Sequence, residues 1–480
     1  MISSEGIRGT RAGMVHQLKQ VSESDGPQAS AVLPRWGKTS VPARSKPRQG
    51  PLERFVNNMH EFKYANNHLY CEKVKVEDLA ARFGTPLYVY SYHTLIGHYL
   101  KLKDAFKSIE PLVCYSVKAN SNLAILKSLV DKGAGLDIVS GGELFRAISV
   151  GCPPEKIVYA SVGKTDREIE EAIRRRILFF NVESLPELEN INRIARRLNR
   201  SVKVAIRINP DVEPKTHKFI TTGKLTNKFG IDFESARKIL LRRMDLSNLE
   251  IKGLHIHIGS QITESAPFLE AVKKMLAFID RIKNNGIDIE YLNIGGGLGI
   301  IYDRETPQTA KDFADKIIPL LKKTGLKIIL EPGRFIVGNA GALITKVLYI
   351  KDSVKKRFVI VDGGMNDLIR PSLYGAYHQI LPLRAGSRKP RMQKADIVGP
   401  ICESGDFFAK GRQLPLVKEG AYLAVMSAGA YGFSMSSNYN SRRRAEEVLV
   451  VKDQVFVIRK RESQEDLVRN ELIPAFLFNL

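Results

Sequence analysis

The sequence predicts an α/β protein: a closed TIM-like (β/α)8 barrel followed by an all-β C-terminal domain. Three features of the 480-residue chain carry that reading. Between Pro86 and Val337, strand-like and helix-like segments alternate about eight times, the count of a closed barrel; open doubly wound sheets usually have fewer units. Beyond Val337, strand-like segments follow one another without long helices. The chemically unusual residues fall at the carboxyl ends of the barrel strands, where barrel enzymes keep their chemistry.

Residues 1–52 are rich in Ser, Arg, Pro and Gly and poor in apolar periodicity, so a disordered basic extension is expected. Its Arg and Ser content would suit a transit peptide, but Glu5, Glu23 and Asp25 argue against one; a natural start at Met59 is the other explanation. Residues 53–88 are expected to contribute a strand, HLYCEKVKV, to the β domain, since chain ends often meet. The barrel is expected over 89–338. PLYVYS and the helix HTLIGHYLKLKDAFKSI open the regular region. VCYSVKA then leads into SNLAILKSLVDKG, a helix with an Asn/Ser start signal that ends at Gly133. LDIVS precedes GELFRAISVG, KIVYASV precedes TDREIEEAIRRR, and ILFFNV precedes LPELENINRIARRLNR. VKVAIRINP precedes a polar loop and FESARKILLRRM; IKGLHIHIG precedes APFLEAVKKMLAFIDRIKNNG. IEYLNIGGG precedes TAKDFADKIIPLLKKTG, and KIILEPG closes the series. Over 339–480, ALITKVLYIKD, KRFVIVDGG, ADIVGPI, AYLAVMS and RAEEVLVVKDQVFVIRKR read as strands.

The net charge of +23 invites nucleic acid or an anionic ligand. The basic residues are mostly interspersed with acids, however, and the tightest cluster, Arg442 to Arg444, lies beside Glu446 and Glu447. A solvated basic surface with no nucleic-acid partner is expected. A hydrophobic content of 44% is that of an ordinary globular chain, and no run of about 18 apolar residues marks a membrane span. Cys71, Cys114, Cys152 and Cys402 are widely spaced and form no CxxC pair, and the start of the chain lacks the apolar core of a signal peptide. A reducing compartment, most simply the cytoplasm, is expected.

The stretch VCYSVKANSN puts Lys118 at the end of an apolar strand, either as a strand-end charge or as an amine held for chemistry. Asp137 lies in the second strand, Gly295, Gly296 and Gly297 follow the seventh, and Glu331 ends the eighth with Arg334 just beyond. In GLHIHIG, period-two alternation turns Leu254, Ile256 and Ile258 toward the helices and His255 and His257 into the barrel. His-x-His on a strand can hold a metal, which makes a zinc or binuclear hydrolase the rival enzyme class. The other strand ends offer lysine, glycines and Glu-Pro-Gly-Arg rather than further ligands, so no metal is expected. The glycine triplet reads as a tight turn or as amides exposed to a phosphate. A lysine able to form an imine, amides for a phosphate, an imidazole to stack and a carboxylate for a ring nitrogen together describe a site for pyridoxal 5'-phosphate. Burial near a cationic ring is expected to lower the pKa of Lys118.

YSVKAN, LDIVSGGEL, GLHIHIGSQI, NIGGGLG, EPGR, RPSLYGAYH, GPICESGDFFA and GAYGFSMSSNYN extend the pattern. From about Phe62 onward the chain resembles the fold-type III pyridoxal-phosphate decarboxylases, the alanine-racemase-like barrel group, and within it the diaminopimelate decarboxylase family. The resemblance implies decarboxylation of meso-2,6-diaminopimelate to L-lysine and CO2, the last step of lysine biosynthesis. It implies that Lys118 bonds the cofactor, His257 stacks on its ring, and Glu331 pairs with its ring nitrogen. Ser260, Gly295, Gly296, Gly297 and Tyr431 would hold or flank the phosphate, with Asp137, Pro332, Gly333 and Arg334 also at the cofactor. Arg334, Arg370, Tyr374 and Tyr431 would bind the substrate. Cys402 would supply a proton and Glu403 would recognise the distal amino group, both reaching the site from the second subunit of a homodimer. By composition alone Cys402 reads as a small buried residue. Diaminopimelate carries an amino-acid head at each end, and Arg370 and Glu403 match the charges of the distal one. An ornithine- or arginine-type decarboxylase of the same fold is the alternative, since those substrates lack the distal carboxylate. A catalytically dead homologue acting as a binding partner is the alternative from another class.

Overall fold

Eight parallel strands close into a barrel in a computed structural model that describes residues 60–213, 228–386 and 390–478. The expected disorder of residues 1–52 lies outside the described residues. The barrel strands are β1 (Leu112–Ser116), β2 (Gly135–Ile138), β3 (Ile157–Tyr159), β4 (Phe179–Val182), β5 (Val202–Arg207), β6 (Leu249–His255), β7 (Tyr291–Asn293) and β8 (Lys327–Leu330). Each pairs with its neighbour in chain order, and β8 returns to β1 through Ile329↔Leu112 and Leu330↔Val113. Helices cover the outside. The helix Tyr92–Ala105 precedes β1 and packs on Ala310–Leu321 and Arg334–Val337, filling the outer position after β8 where the chain makes only one helical turn. The expected start signal before Leu123–Val130 is present: the Asn122 side chain accepts from the Ala124 amide at 2.9 Å.

Period two organises the barrel interior. Cys114, Val158, Phe179, Ala205 and Ile329 form a separate buried apolar cluster, the floor. Gly135 and Gly253 complete that layer because nothing larger fits. A Cβ at 135 would lie 2.3 Å from the Lys156 carbonyl oxygen, and one at 253 would lie 3.0 Å from the Ala205 Cβ. Two residues further along the strands, about 6.6 Å higher, stand Ser116, Asp137, Asn181, Arg207, His255, Asn293 and Glu331, all buried. The outward residues of β6, Leu254 and the following Ile256 and Ile258, join the main core with the helices, as the alternation predicts.

The chain after the barrel, joined by one strand from before it, builds a nine-stranded mixed sheet. Its central strand, Gly341–Asp352, pairs antiparallel with Leu87–Ser91, which in turn pairs parallel with Glu446–Val451. PLYVYS therefore belongs to this sheet and not to the barrel. His68–Cys71 pairs with Phe62–Ala65 and Val74–Lys75 in a small three-stranded sheet. That sheet touches the larger one through a bridge between His68 and Arg384 and a bond from the Leu69 amide to the Leu383 carbonyl at 2.8 Å.

Candidate active site

The buried polar layer opens upward into a cavity of about 520 Å³ at the carboxyl end of the barrel. Its walls include Lys118, His257, Glu331, Arg334, Arg370 and Tyr431. Barrel loops and the C-terminal domain both contribute, so the sequence-distant candidates meet at one place.

Lys118 sits in a 3-10 turn, Val117–Ala119, directly after β1. The Tyr431 amide and the Ser434 hydroxyl both donate to the Ala119 carbonyl, at 2.8 and 3.2 Å. Asn120 donates to the Gly429 carbonyl and to the Tyr90 hydroxyl, each at 3.1 Å. The turn is thereby clamped by the β-sheet domain. The Lys118 ammonium lies 3.5 Å from Asp137 Oδ2, which also accepts from the Ser116 hydroxyl at 2.6 Å. Burial disfavours the ammonium, but Asp137, Tyr431 and Glu331 favour it and prevail, so its pKa is raised. This reverses the expected lowering, because two carboxylates surround the amine. Burial and the nearby Glu331 push Asp137 up to about 6.

Glu331 anchors the other side. Asn293 and Asn181 donate to its Oε1 at 2.5 and 3.1 Å. His255 Nε2 stands 3.2 Å from Oε2. Burial works against this carboxylate's charge, yet His255 and Lys118 outweigh it and hold its pKa below the ordinary range. Glu331 is thus a carboxylate kept charged in a closed site.

His257 Nδ1 accepts from the Gly296 amide at 3.2 Å, so the ring is held through its acceptor nitrogen. Burial first, then the charges of Lys118 and Arg207, keep its pKa well below the usual imidazole range. The glycine triplet is required by packing. A Cβ at Gly296 would lie 1.9 Å from the Glu331 carbonyl oxygen, and one at Gly297, where φ is +109°, would lie 2.3 Å from that of Gly259. Gly333 is likewise tight: a Cβ there would lie 3.1 Å from the Cβ atoms of Ser116 and Ala119. These glycines and Pro332 shape the support behind the cavity wall. Arg334 donates to Ser260 Oγ through Nε and Nη2, at 3.3 and 3.0 Å, and to the Tyr302 hydroxyl at 2.7 Å. Its guanidinium also lies 4.8 Å above the Tyr431 ring.

Arg370 and Tyr374 are brought in by the short helix Arg370–Tyr374. Cys402 and Glu403 are not brought to this cavity. Both are exposed on a loop of the C-terminal domain, and Cys402 is not the small buried residue that composition suggests. The loop is nonetheless tied down. Asp406 accepts from the Ile401 and Met365 amides at 2.7 and 2.6 Å, and the Cys402 amide donates to Asn440 Oδ1 at 2.8 Å.

Several site residues were not singled out by the sequence reading. Asn181, Asn293 and Arg207 project inward from otherwise apolar strands, and a polar residue breaking such a strand was the available signal. Arg207 pairs with Glu183 at 2.8 Å on the cavity wall. Tyr302, between the two arginines, carries no local signal.

This donor set fits pyridoxal phosphate. It offers one amine beside two carboxylates of different proton affinity, an imidazole acceptor fixed on a glycine turn, and an arginine over a serine hydroxyl. Asp137 Oδ1 and Asn181 Oδ1 are buried without hydrogen-bond partners, so the polar layer is built around more than its own contacts.

Comparison with known proteins agrees. Residues 93–338 match the family described as pyridoxal-dependent decarboxylase, pyridoxal binding domain. The diaminopimelate decarboxylase of Aquifex aeolicus is 52% identical over 410 residues, 85% of this chain and 97% of that protein. The crystal structure of diaminopimelate decarboxylase from M. jannaschii in co-complex with L-lysine has a TM-score of 0.82 at 41% identity, covering 88% of this chain and 99% of that one. The enzyme of that name from Helicobacter pylori, also complexed with L-lysine, has a TM-score of 0.80 at 43% identity, covering 83% and 99%.

Proposed function

Because the chain belongs to the diaminopimelate decarboxylase family of pyridoxal-dependent decarboxylases, we propose that it converts meso-2,6-diaminopimelate to L-lysine and CO2, the last step of lysine biosynthesis. The observation that carries the reading is the meeting of Lys118, Glu331, His257, Arg334 and Arg370 around one cavity. When bound, pyridoxal phosphate supplies an aldehyde for amines and a protonated ring that withdraws the electron pair left when CO2 departs. Lys118 is the amine that would hold that aldehyde. Its raised pKa comes from Asp137, Tyr431 and Glu331; Glu331, if engaged by a cationic ring nitrogen, would favour the ammonium less. Glu331, kept ionised, holds the proton on the ring nitrogen, and Asp137 stays beneath the lysine. His257, a neutral imidazole held on the glycine turn, would support the ring. Ser260, Arg334, Tyr431 and the Gly295–Gly297 turn serve the phosphate end, with Pro332 and Gly333 as its support.

At the substrate end Arg370 and Tyr374 receive a carboxylate. Cys402 gives a proton to the carbon that has lost CO2, and Glu403 receives the distal ammonium. Both lie outside this chain's cavity, which supports a homodimer in which each subunit completes the other's site. No helix among the described residues is long and apolar enough to cross a membrane. A cytoplasmic enzyme accords with four free cysteines.

The test is CO2 release from meso-diaminopimelate, ornithine and arginine by protein reconstituted with pyridoxal phosphate, alongside borohydride reduction. Turnover of diaminopimelate alone, with a pyridoxyl group fixed on Lys118 and absent in Lys118→Ala, is expected. Faster turnover of ornithine or arginine, or a pyridoxyl group elsewhere, overturns the assignment.

A further inference from the structure

The RPSLYGAYH stretch ends in a histidine that the mechanism above does not use. His378 is fully buried, and its two ring nitrogens are committed in different ways. Nδ1 lies 2.8 Å from the Met426 carbonyl, which can only accept, so Nδ1 carries the proton. Nε2 is then a lone pair, and Arg370 Nη1 donates to it at 2.7 Å. Arginine has no acceptor, so this contact exists only in the Nδ1–H tautomer. Burial, and then the charge of Arg370, hold the imidazole well below its usual range, which keeps the ring neutral and the lone pair available.

Arg370 has few other restraints on its long side chain. Its guanidinium rests on the Tyr302 ring at 4.6 Å, and the same ring meets His378 edge-on, with centroids 5.3 Å apart and planes at 77°. Tyr302 is itself held by Arg334 through its hydroxyl. The backbone carbonyl of Met426, the imidazole and the guanidinium thus form a relay of orientation from the β-sheet domain to the cavity wall. A guanidinium recognises a carboxylate well only when its planar fork is already aimed, and losing that aim loses affinity without removing the charge.

We propose that His378 is the positioning residue for Arg370, aiming it at the carboxylate that the substrate keeps through the reaction and thereby setting the preference for an amino acid with two acid heads. The inference rests on the assignment of Arg370 to that carboxylate. It assigns His378 no contact with the cofactor or the reacting carbon.

The test is equilibrium binding to the holoenzyme of two ligands, L-lysine and 1,5-diaminopentane, which is L-lysine without the carboxylate. His378→Phe keeps the aromatic edge against Tyr302 and removes the acceptor. It is expected to weaken L-lysine about 10-fold or more, as loss of a charge-assisted hydrogen bond does, and to change diaminopentane less than about 2-fold. His378→Gln, which can offer an oxygen, recovers most of the L-lysine affinity. KM for diaminopimelate follows the L-lysine affinity, while kcat at saturation and the cofactor absorbance stay near the wild type. Equal weakening of both ligands, or failure of Gln to recover anything, overturns the proposal in favour of a packing role. Arg370→Met separates the premise from the inference. If it spares L-lysine, the assignment of Arg370 is wrong; if it weakens L-lysine while His378→Phe does not, only the role of His378 is wrong. Should His378→Phe yield no folded holoenzyme, ¹⁵N-imidazole resonances of the wild-type protein decide, with His378→Gln identifying the signal: an Nε2-protonated ring overturns the proposal and an Nδ1-protonated ring supports it.

Discussion

The two ends of the cavity are built differently. The cofactor end stands on barrel strands, where period two lifts a polar layer above an apolar floor and most groups are held by a residue from another strand. The substrate end is assembled from the C-terminal domain. Arg370 arrives on a short helix, while Cys402 and Glu403 sit exposed on a loop outside the cavity. On the proposed roles of Cys402 and Glu403, one end is complete within the chain and the other is completed by a second subunit. Damage at the cofactor end should therefore stay with one chain, whereas damage at the substrate end should be transferable between chains.

The largest effect that probes this contrast is expected from Cys402→Ala. Loss of a positioned general acid lowers kcat about 10²- to 10⁴-fold, with the cofactor absorbance unchanged. Mixing Cys402→Ala with Lys118→Ala sharpens the comparison. Random reassociation of two inactive homodimers makes half the dimers mixed, each with one intact site, and about a quarter of wild-type activity returns. No recovery after verified subunit exchange would break the claim that the substrate end is shared.

Glu331→Gln is expected to act next most strongly. Replacing a carboxylate held charged by His255 and two asparagines with a neutral amide removes a preorganised charge, and kcat falls about 10²- to 10³-fold. Unlike Cys402→Ala, it also shifts the cofactor absorbance. Normal turnover with an unshifted spectrum would show that Glu331 serves the barrel's packing alone. Glu403→Ala comes third. It raises KM for diaminopimelate about 10- to 100-fold, the effect of leaving one ammonium unpaired, and leaves pyridoxal phosphate affinity as it was. Equal losses of substrate and cofactor affinity would remove the distinction between the ends.

The contrast also decides what the sequence could disclose. Strand ends at the cofactor end announce themselves because a lysine or glutamate closing an apolar run is locally anomalous, which marked Lys118 and Glu331 as candidates, while the alternation of GLHIHIG marked His257. The barrel was legible from the alternation itself. Asn181, Asn293 and Arg207 stand at or next to strand ends in the same way, but a lone asparagine or arginine there is commonly a satisfied internal contact. At the substrate end the motifs could be quoted but not assembled. Nothing in RPSLYGAYH states that its final histidine turns back eight residues to grip its first arginine. That contact depends on the Met426 carbonyl, supplied from 48 residues further along the chain. Leu87–Ser91 is similar, since its partners at 341–352 and 446–451 are set by topology and not by local pattern.

Asp367 lies behind the substrate end and offers the smallest effect. It is buried in the turn that leads to Arg370, where its Oδ2 accepts from the Gly364 amide at 3.0 Å and its Oδ1 has no hydrogen-bond partner. Burial pushes this carboxyl up to about 7. A carboxyl raised in the folded state holds a proton there that the unfolded chain releases near pH 4. Its stabilising contribution is therefore full below about pH 4 and is lost as pH rises through 7. Asp367→Asn keeps the shape and has no charge to desolvate. The variant should thus melt at about the wild-type temperature at pH 4 and a few degrees higher at pH 8, where the native carboxylate has formed without a partner. Turnover should change less than about 2-fold, since Arg370 remains held by His378 and Tyr302 rather than by this turn. Thermal melts at the two pH values check the first expectation and steady-state kinetics the second. A Tm difference that is the same at both pH values would mean that Asp367 acts by shape and not by charge. A large fall in turnover would mean that the substrate end depends on its supporting turn as closely as the cofactor end depends on its strands.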